Sequence, residues 1–190
     1  MDEMRKSVHR TRDEIRQDMV QMGALVTESI PRATEAMLQG DMATAQAIVD
    51  GDDPLDAMAI ELEELCYQQL ALQQPMATDL RAIVTAVRMI AEIERSGDLV
   101  VNIAKASRRL VGVTLSARLR GLISQMGEEA TRLFRLAIDA YVDGDEGMAA
   151  ALDDLDDRLD GLQTEFVQEI FLWHNACGIP VQAAVQLALN

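Results

Sequence analysis

Aromatic side chains are scarce, at 3% of the 190 residues. Ala, Leu, Ile, Val and Met supply the apolar content instead, a mix that suits helix-on-helix packing better than sheets. Positive charge is short as well: 17 Lys and Arg stand against 32 Asp and Glu, a formal charge of -15. Nucleic-acid affinity depends on cations that displace phosphate counterions, so DNA and RNA are discounted as partners. No apolar run approaches the ~18 residues that a membrane-crossing helix needs. The first residues, MDEMRKSVHRTRDEIRQDM, mix both charges and contain no apolar stretch like that of a secretion signal. A soluble, cytoplasmic protein without direct membrane insertion is expected. Cys66 and Cys177 are the only cysteines and lie far apart, which suits packing in a reducing compartment better than a disulfide framework. The two histidines, His9 and His174, stand alone, and neither follows a Glu by three residues as the helical-bundle di-iron oxidases require. GxxxxGK[ST], GxGxxG and GxSxG motifs are all missing, so nucleotide-dependent and serine-hydrolase chemistry have no support.

Apolar residues at spacings of three and four fill Met19–Leu38, Leu62–Leu72, Leu80–Val101, Leu115–Ile138 and Leu159–Leu172. Gly40-Asp41, Gln74-Pro75, Gly112, Gly144-Asp145 and Gly178 to Pro180 separate these runs, while Pro31 falls inside the first and is expected to kink it. Three helices, a break near Gly112 and three more helices follow. Gly40, Asp41, Asp50, Asp52, Asp53, Leu55 and Asp56 recur as Gly144, Asp145, Asp154, Asp156, Asp157, Leu159 and Asp160, so the chain is an internal duplication. With a one-residue slip Pro75 matches Pro180, and each third helix is expected to open at its proline. The expected fold is all-α: two tandem antiparallel three-helix bundles, residues 1–111 and 112–190. Most of the eleven methionines are core filler, with Met22, Met37 and Met89 as candidates for an adaptable partner surface.

Several carboxylates occupy unusual positions. Counting about 100° per residue from Ile83, Ile90 falls near about -20°, Glu94 about +20°, Asp98 about +60° and Asp79 about -40°. These acids are thus expected within the apolar stripe, while Arg81, Arg88 and Arg95 point away from it. A carboxylate facing a core must be paired, bound to a cation or neutralised by a raised pKa. Asp52 with Asp56, and Asp156 with Asp160, are further pairs at i and i+4, where like charges repel unless a cation joins them. Oxygen-only ligands from neighbouring helices suit Mg, Mn or Fe, with Zn also accommodated. The competing readings of the same acids are a carboxylate-bridged metalloenzyme on a helical bundle and a metal-free scaffold with solvated acids.

Gln74-Pro75-x-Ala77-x-Asp79-Leu80-Arg81, followed by Glu94-Arg95-Ser96-Gly97-Asp98 and Asn102-Ile103-Ala104, resembles the signature of the PhoU family, with Ser96 where isoleucine is common. The resemblance runs from Met22-Gly23 to the Ala-Val-Gln-Leu-Ala-Leu segment at Ala184–Leu189. It implies tandem three-helix bundles whose acidic motifs gather a divalent or trivalent metal ion (Fe, Zn, Mn or Mg). In the first half the implied ligands are Asp52, Asp56, Asp79, Glu94, Asp98 and Asn102. Asp156 and Asp160 match the second-half motif, but their partner block is absent, and most of the last helix is expected to be lacking. The resemblance further implies a non-enzymatic negative regulator of phosphate uptake and signalling. Its expected partners are the ATPase of a phosphate-specific ABC transporter, a sensor histidine kinase and a second copy of itself.

Overall fold

A computed structural model describes residues 2–73 and 75–177, with side chains described at 13–72 and 75–174. Six helices and no strand occur among them: α1 (Asp2–Gln39), α2 (Met42–Asp50), α3 (Asp53–Gln73), α4 (Thr78–Arg109), α5 (Ala117–Asp143) and α6 (Glu146–Cys177). The all-α expectation is met. In α1, Ile15, Met19, Met22, Val26, Ile30 and Ala33 recur at steps of three and four and are all buried, the spacing that places residues on one face of an α-helix. The helix runs unbroken through Pro31, which faces solvent.

The duplicated Gly-Asp pair performs the same local task twice. Gly40 (φ 69°) and Gly144 (φ 64°) adopt the left-handed conformation that only glycine enters freely. The next N–H then reaches back to the last turn, Asp41 N to Ala36 O and Asp145 N to Ala140 O, both at 2.9 Å. Each aspartate next caps the helix that follows: Asp41 Oδ1 accepts from Ala43 N and Thr44 N, and Asp145 Oδ1 accepts from Met148 N. These bonds hold the Asp41 carboxyl below the usual carboxylate range, with the Thr44 hydroxyl the largest cause. Gly144→Ala should therefore cost about 1–2 kcal/mol through its left-handed φ, measurable as an earlier urea midpoint with an unchanged slope.

Elsewhere the duplication breaks down. One second helix was expected in each half, yet the first half divides it into α2 and α3, whereas α6 is continuous. The sequence explains why. Gly51 ends α2, its N–H shared between Ala47 O and Ile48 O at 3.1 and 3.2 Å, and Pro54 sits in the first turn of α3, where a missing N–H costs nothing. Their counterparts in α6 are Leu155 and Arg158, which leave the helix no reason to stop. The third helix also starts later than expected, at Thr78 rather than Pro75, because Ala77 has a φ of 50°, a region that residues with a Cβ rarely occupy. The corresponding expectation at Pro180, and the reading of a shortened last helix, lie outside the described residues.

α1 is the spine of the molecule, packing along α4 and α5 and also meeting α2 and α3, while α5 packs on α6. A first core joins α1 to α2, α3 and α4, with Phe134, Ile138 and Tyr141 of α5 at its edge. A second core gathers Leu119, Leu122, Phe166, Ile170 and Trp173, with Met37 and Leu38 of α1 at its margin. Gly23 lets α5 approach, since a Cβ there would lie 2.8 Å from Ile138. Met22 is fully buried, and Met37 and Met89 pack against the cores, so the proposed methionine surface is largely interior. Cys66 is fully buried, and burial pushes its thiol up to about 11, consistent with a packing role. The Cys177 and His9 side chains lie outside the described residues.

Between α5 and α6 the sequence reading overlooked one feature, the buried carboxylate of Glu129. Arg132 Nε donates to it at 3.0 Å with Nη2 engaged as well, and Arg158 of α6 lies 3.5 Å away. The Arg132 hydrogen bond holds the Glu129 carboxyl below its ordinary value, with burial opposing and the two arginine charges assisting.

Candidate metal centre

Asp52 and Asp56 enter the site because the chain breaks at Gly51 and restarts as α3, bringing both into the opening of that helix. Glu94 and Asp98 lie one turn apart on α4. What brings the two helices together is Gly97: a Cβ there would lie inside the Leu55 side chain. The glycine of the Glu-Arg-Ser-Gly-Asp block is thus a contact point between helices, and the acids on either side of it stand beside α3.

The electrostatics show that the four acids share one region. Burial is the leading cause that raises the Asp52 carboxyl, followed by the charges of Asp56 and Asp98, with Lys105 opposing them. Glu94 is raised for the same reason, burial first and then Asp98, Asp56, Asp52 and Glu63. Asp52, Asp56 and Glu94 are half-buried, while Asp98 is exposed. Two members escaped the sequence reading, Glu63 and Lys105. Each lies seven residues beyond an identified acid, Glu63 after Asp56 and Lys105 after Asp98, so continuing each helical face by two turns would have found both.

The placement of the α4 acids needs correction. The buried face comprises Ile83, Ala86, Ile90, Ile93, Gly97, Val100, Val101 and Ala104, a stripe centred at about -45° on the scale used above. Glu94 lies about 65° and Asp98 about 105° from that centre. They therefore flank the apolar stripe instead of occupying it, because α3 covers only the side of α4 marked by Gly97. Arg81, Arg88 and Arg95 are exposed as expected. Asp79 is half-buried but belongs to the first turn of α4, roughly 22 Å along the axis from Glu94, too far to share a ligand with it. Asn102 is exposed one turn past Asp98. Asp156 and Asp160 are exposed on α6 and are not among the charges that raise the Asp52 and Glu94 carboxyls.

Chemically, this donor set fits a hard cation: oxygen ligands only, mutual repulsion that a cation would relieve, and a single lysine opposing it. Among the described residues, no three Asp, Glu, His or Cys side chains already converge on one point. Closing a ligand set around an ion would therefore require side-chain rotation, chiefly of the exposed Asp98. Metal-free stability should show the strain. Both raised carboxyls hold their proton more tightly folded than unfolded, so stability falls as pH rises from their ordinary values of 3.8 and 4.5 through the raised ones. Glu129 works in the opposite sense: its stabilisation is present above 4.5 and lost as pH falls through its lowered value. Urea melts between pH 4 and 7 with chelator present should therefore differ in slope between wild type and Glu94→Gln, the variant losing less stability as pH rises.

Similarity to known proteins covers both halves. The PhoU domain model matches residues 19–107 and again 123–188. The phosphate-specific transport system accessory protein PhoU homolog 2 of Mycobacterium tuberculosis is 34% identical over 160 residues, 84% of this chain and 75% of the relative. Homolog 1 of the same species is 31% identical over 185 residues, 96% of this chain and 84% of the relative. The crystal structure of PhoU from Pseudomonas aeruginosa superposes with a TM-score of 0.88 at 23% identity, covering 95% of this chain and 86% of that one, a likeness of fold. With the signature blocks and the duplicated architecture in agreement, the chain belongs to the PhoU family, whose named members are accessory and regulatory proteins of phosphate transport and not enzymes.

Proposed function

We propose that this protein regulates phosphate uptake and signalling as an adaptor between the ATPase of a phosphate-specific ABC transporter and a sensor histidine kinase, repressing the phosphate-starvation response when phosphate is plentiful. The observation that carries this reading is the Glu94-Arg95-Ser96-Gly97-Asp98 block set against Asp52 and Asp56, in a chain matched by the family over both halves. The acidic charge argues that phosphate information arrives through a partner, since free phosphate would be repelled by these faces. In this reading a metal ion (Fe, Zn, Mn or Mg) held by Asp52, Asp56, Glu94 and Asp98 is structural or regulatory. The adaptor is a cytoplasmic homodimer that reaches the membrane through its partners.

Deleting the gene should leave phosphate-responsive transcription switched on in phosphate-rich medium and alter uptake. Unchanged transcription and unchanged uptake in the deletion strain would sink the proposal.

A further inference from the structure

In a chain with 32 acidic residues, the segment from Leu99 to Gly127 contains none. It carries Lys105, Arg108, Arg109, Arg118 and Arg120, five of the 17 basic residues. The fold gathers the four arginines at one end of the bundle, around the turn between α4 and α5, where α1 also ends. Arg120 Nη1 donates to Leu38 O at 2.6 Å, and Arg108 Nη1 donates to Gln46 Oε1 at 3.0 Å. Both partners are neutral, so these two arginines are fixed in place while keeping their charge, with the Asp50 carboxylate one hydrogen bond beyond Gln46 at 2.6 Å. Arg118 pairs with Glu165 of α6, and Ser116 Oγ donates to Glu169 at 3.5 Å. Those two glutamates are the acids that face the turn from α6. At the tip, Val111 is 66% exposed beside Gly112, whose φ is 82°. Lys105, Arg108, Arg109, Arg118 and Arg120 are all exposed.

We infer that this turn is a docking surface for anionic lipid head groups, with the side chain of Val111 entering the interface. The tip is a projecting turn with a bare apolar side chain among fixed cations, which fits a flat anionic surface better than an acidic peptide seeking a groove. The acidic remainder of the molecule does not prevent contact, because charges more than about 8 Å from the surface are screened at physiological salt. No helix among the described residues is long and apolar enough to cross a membrane, so this contact is peripheral and adds to the recruitment that the adaptor's partners provide.

Sedimentation of the full chain with sucrose-loaded vesicles tests the inference. The protein should pellet with equimolar phosphatidylcholine and phosphatidylglycerol, remain in the supernatant with phosphatidylcholine alone, and be released by salt. Each cation near an anionic surface strengthens partitioning roughly five-fold, so Arg108→Gln/Arg109→Gln should weaken it roughly 25-fold. Arg88→Gln/Arg95→Gln, exposed on α4 away from the turn, should bind as wild type does, and circular dichroism should show all three proteins equally helical. Failure to pellet with the anionic vesicles at low salt, an equal loss in the control variant, or equal pelleting with phosphatidylcholine alone would each overturn it. So would retention of wild-type binding by the Arg108/Arg109 variant.

Discussion

Titrating a divalent cation into the chelator-stripped protein should raise its melting temperature by about 5–11 °C. A ligand that binds only the folded state adds about 2.7 kcal/mol at 100 times its dissociation constant, and in a chain of this size each kcal/mol moves the midpoint by about 2–4 °C. The response should vanish in Glu94→Gln/Asp98→Asn, which removes the α4 side of the centre. That variant should also melt slightly higher than wild type without metal, because it relieves the repulsion felt by Asp52 and Asp56. A metal-free scaffold predicts no shift with Mg, Mn, Fe(II) or Zn in either protein. The second signature, apo-stabilisation by loss of two acids, separates a strained ligand set from surface carboxylates that merely attract ions.

Gly97→Val should be the most disruptive conservative-looking substitution in the first half. Leu55 is itself buried, and its Cγ lies 3.7 Å from the position a Gly97 Cβ would take, so valine's two extra methyls meet a side chain with little room to retreat. Overpacking of this kind costs about 1–3 kcal/mol, or roughly 2–12 °C. Because α3 must move away from α4, the cation response should weaken too, although no ligand has been changed. Gly121→Ala has the opposite sign. Nothing lies within 4 Å of a Cβ at Gly121, and alanine gains roughly 1 kcal/mol over glycine inside a helix. Parallel melts of the two variants distinguish a glycine required by close packing from one that is merely tolerated.

The helices were legible because their ends are chemically marked. Gly40-Asp41 and Gly144-Asp145 carry a left-handed residue followed by a capping side chain, and these act locally, where sequence order and spatial order coincide. The gap between α2 and α3 needed a finer comparison, of Gly51 and Pro54 with Leu155 and Arg158, since a repeat detected by shared residues conceals what its copies do not share. The acids were legible as residue types, but their phase was misplaced. Periodicity alone identifies an apolar face of α4 and cannot say that α3 covers one flank of it. For the same reason Asp79 was grouped with Glu94, since an angle about the axis carries no information on distance along it. Glu129 has a local partner in Arg132 three residues on, but such a pair reads the same on an exposed face, and its burial and second partner, Arg158, are supplied by a different helix.

The duplication suggests two modules joined at the turn after α4, yet α1 crosses that division. At 38 residues it is a rod about 57 Å long, with Met19 and Val26 in the first core and Met37 and Leu38 against the second. Two bundles connected only by a flexible joint could change independently. Sharing a rod removes that freedom: a tilt of α1 within the first core would be carried to its far end, where its last turn is held by Arg120. The molecule is built as a lever with its load and effort on the same helix.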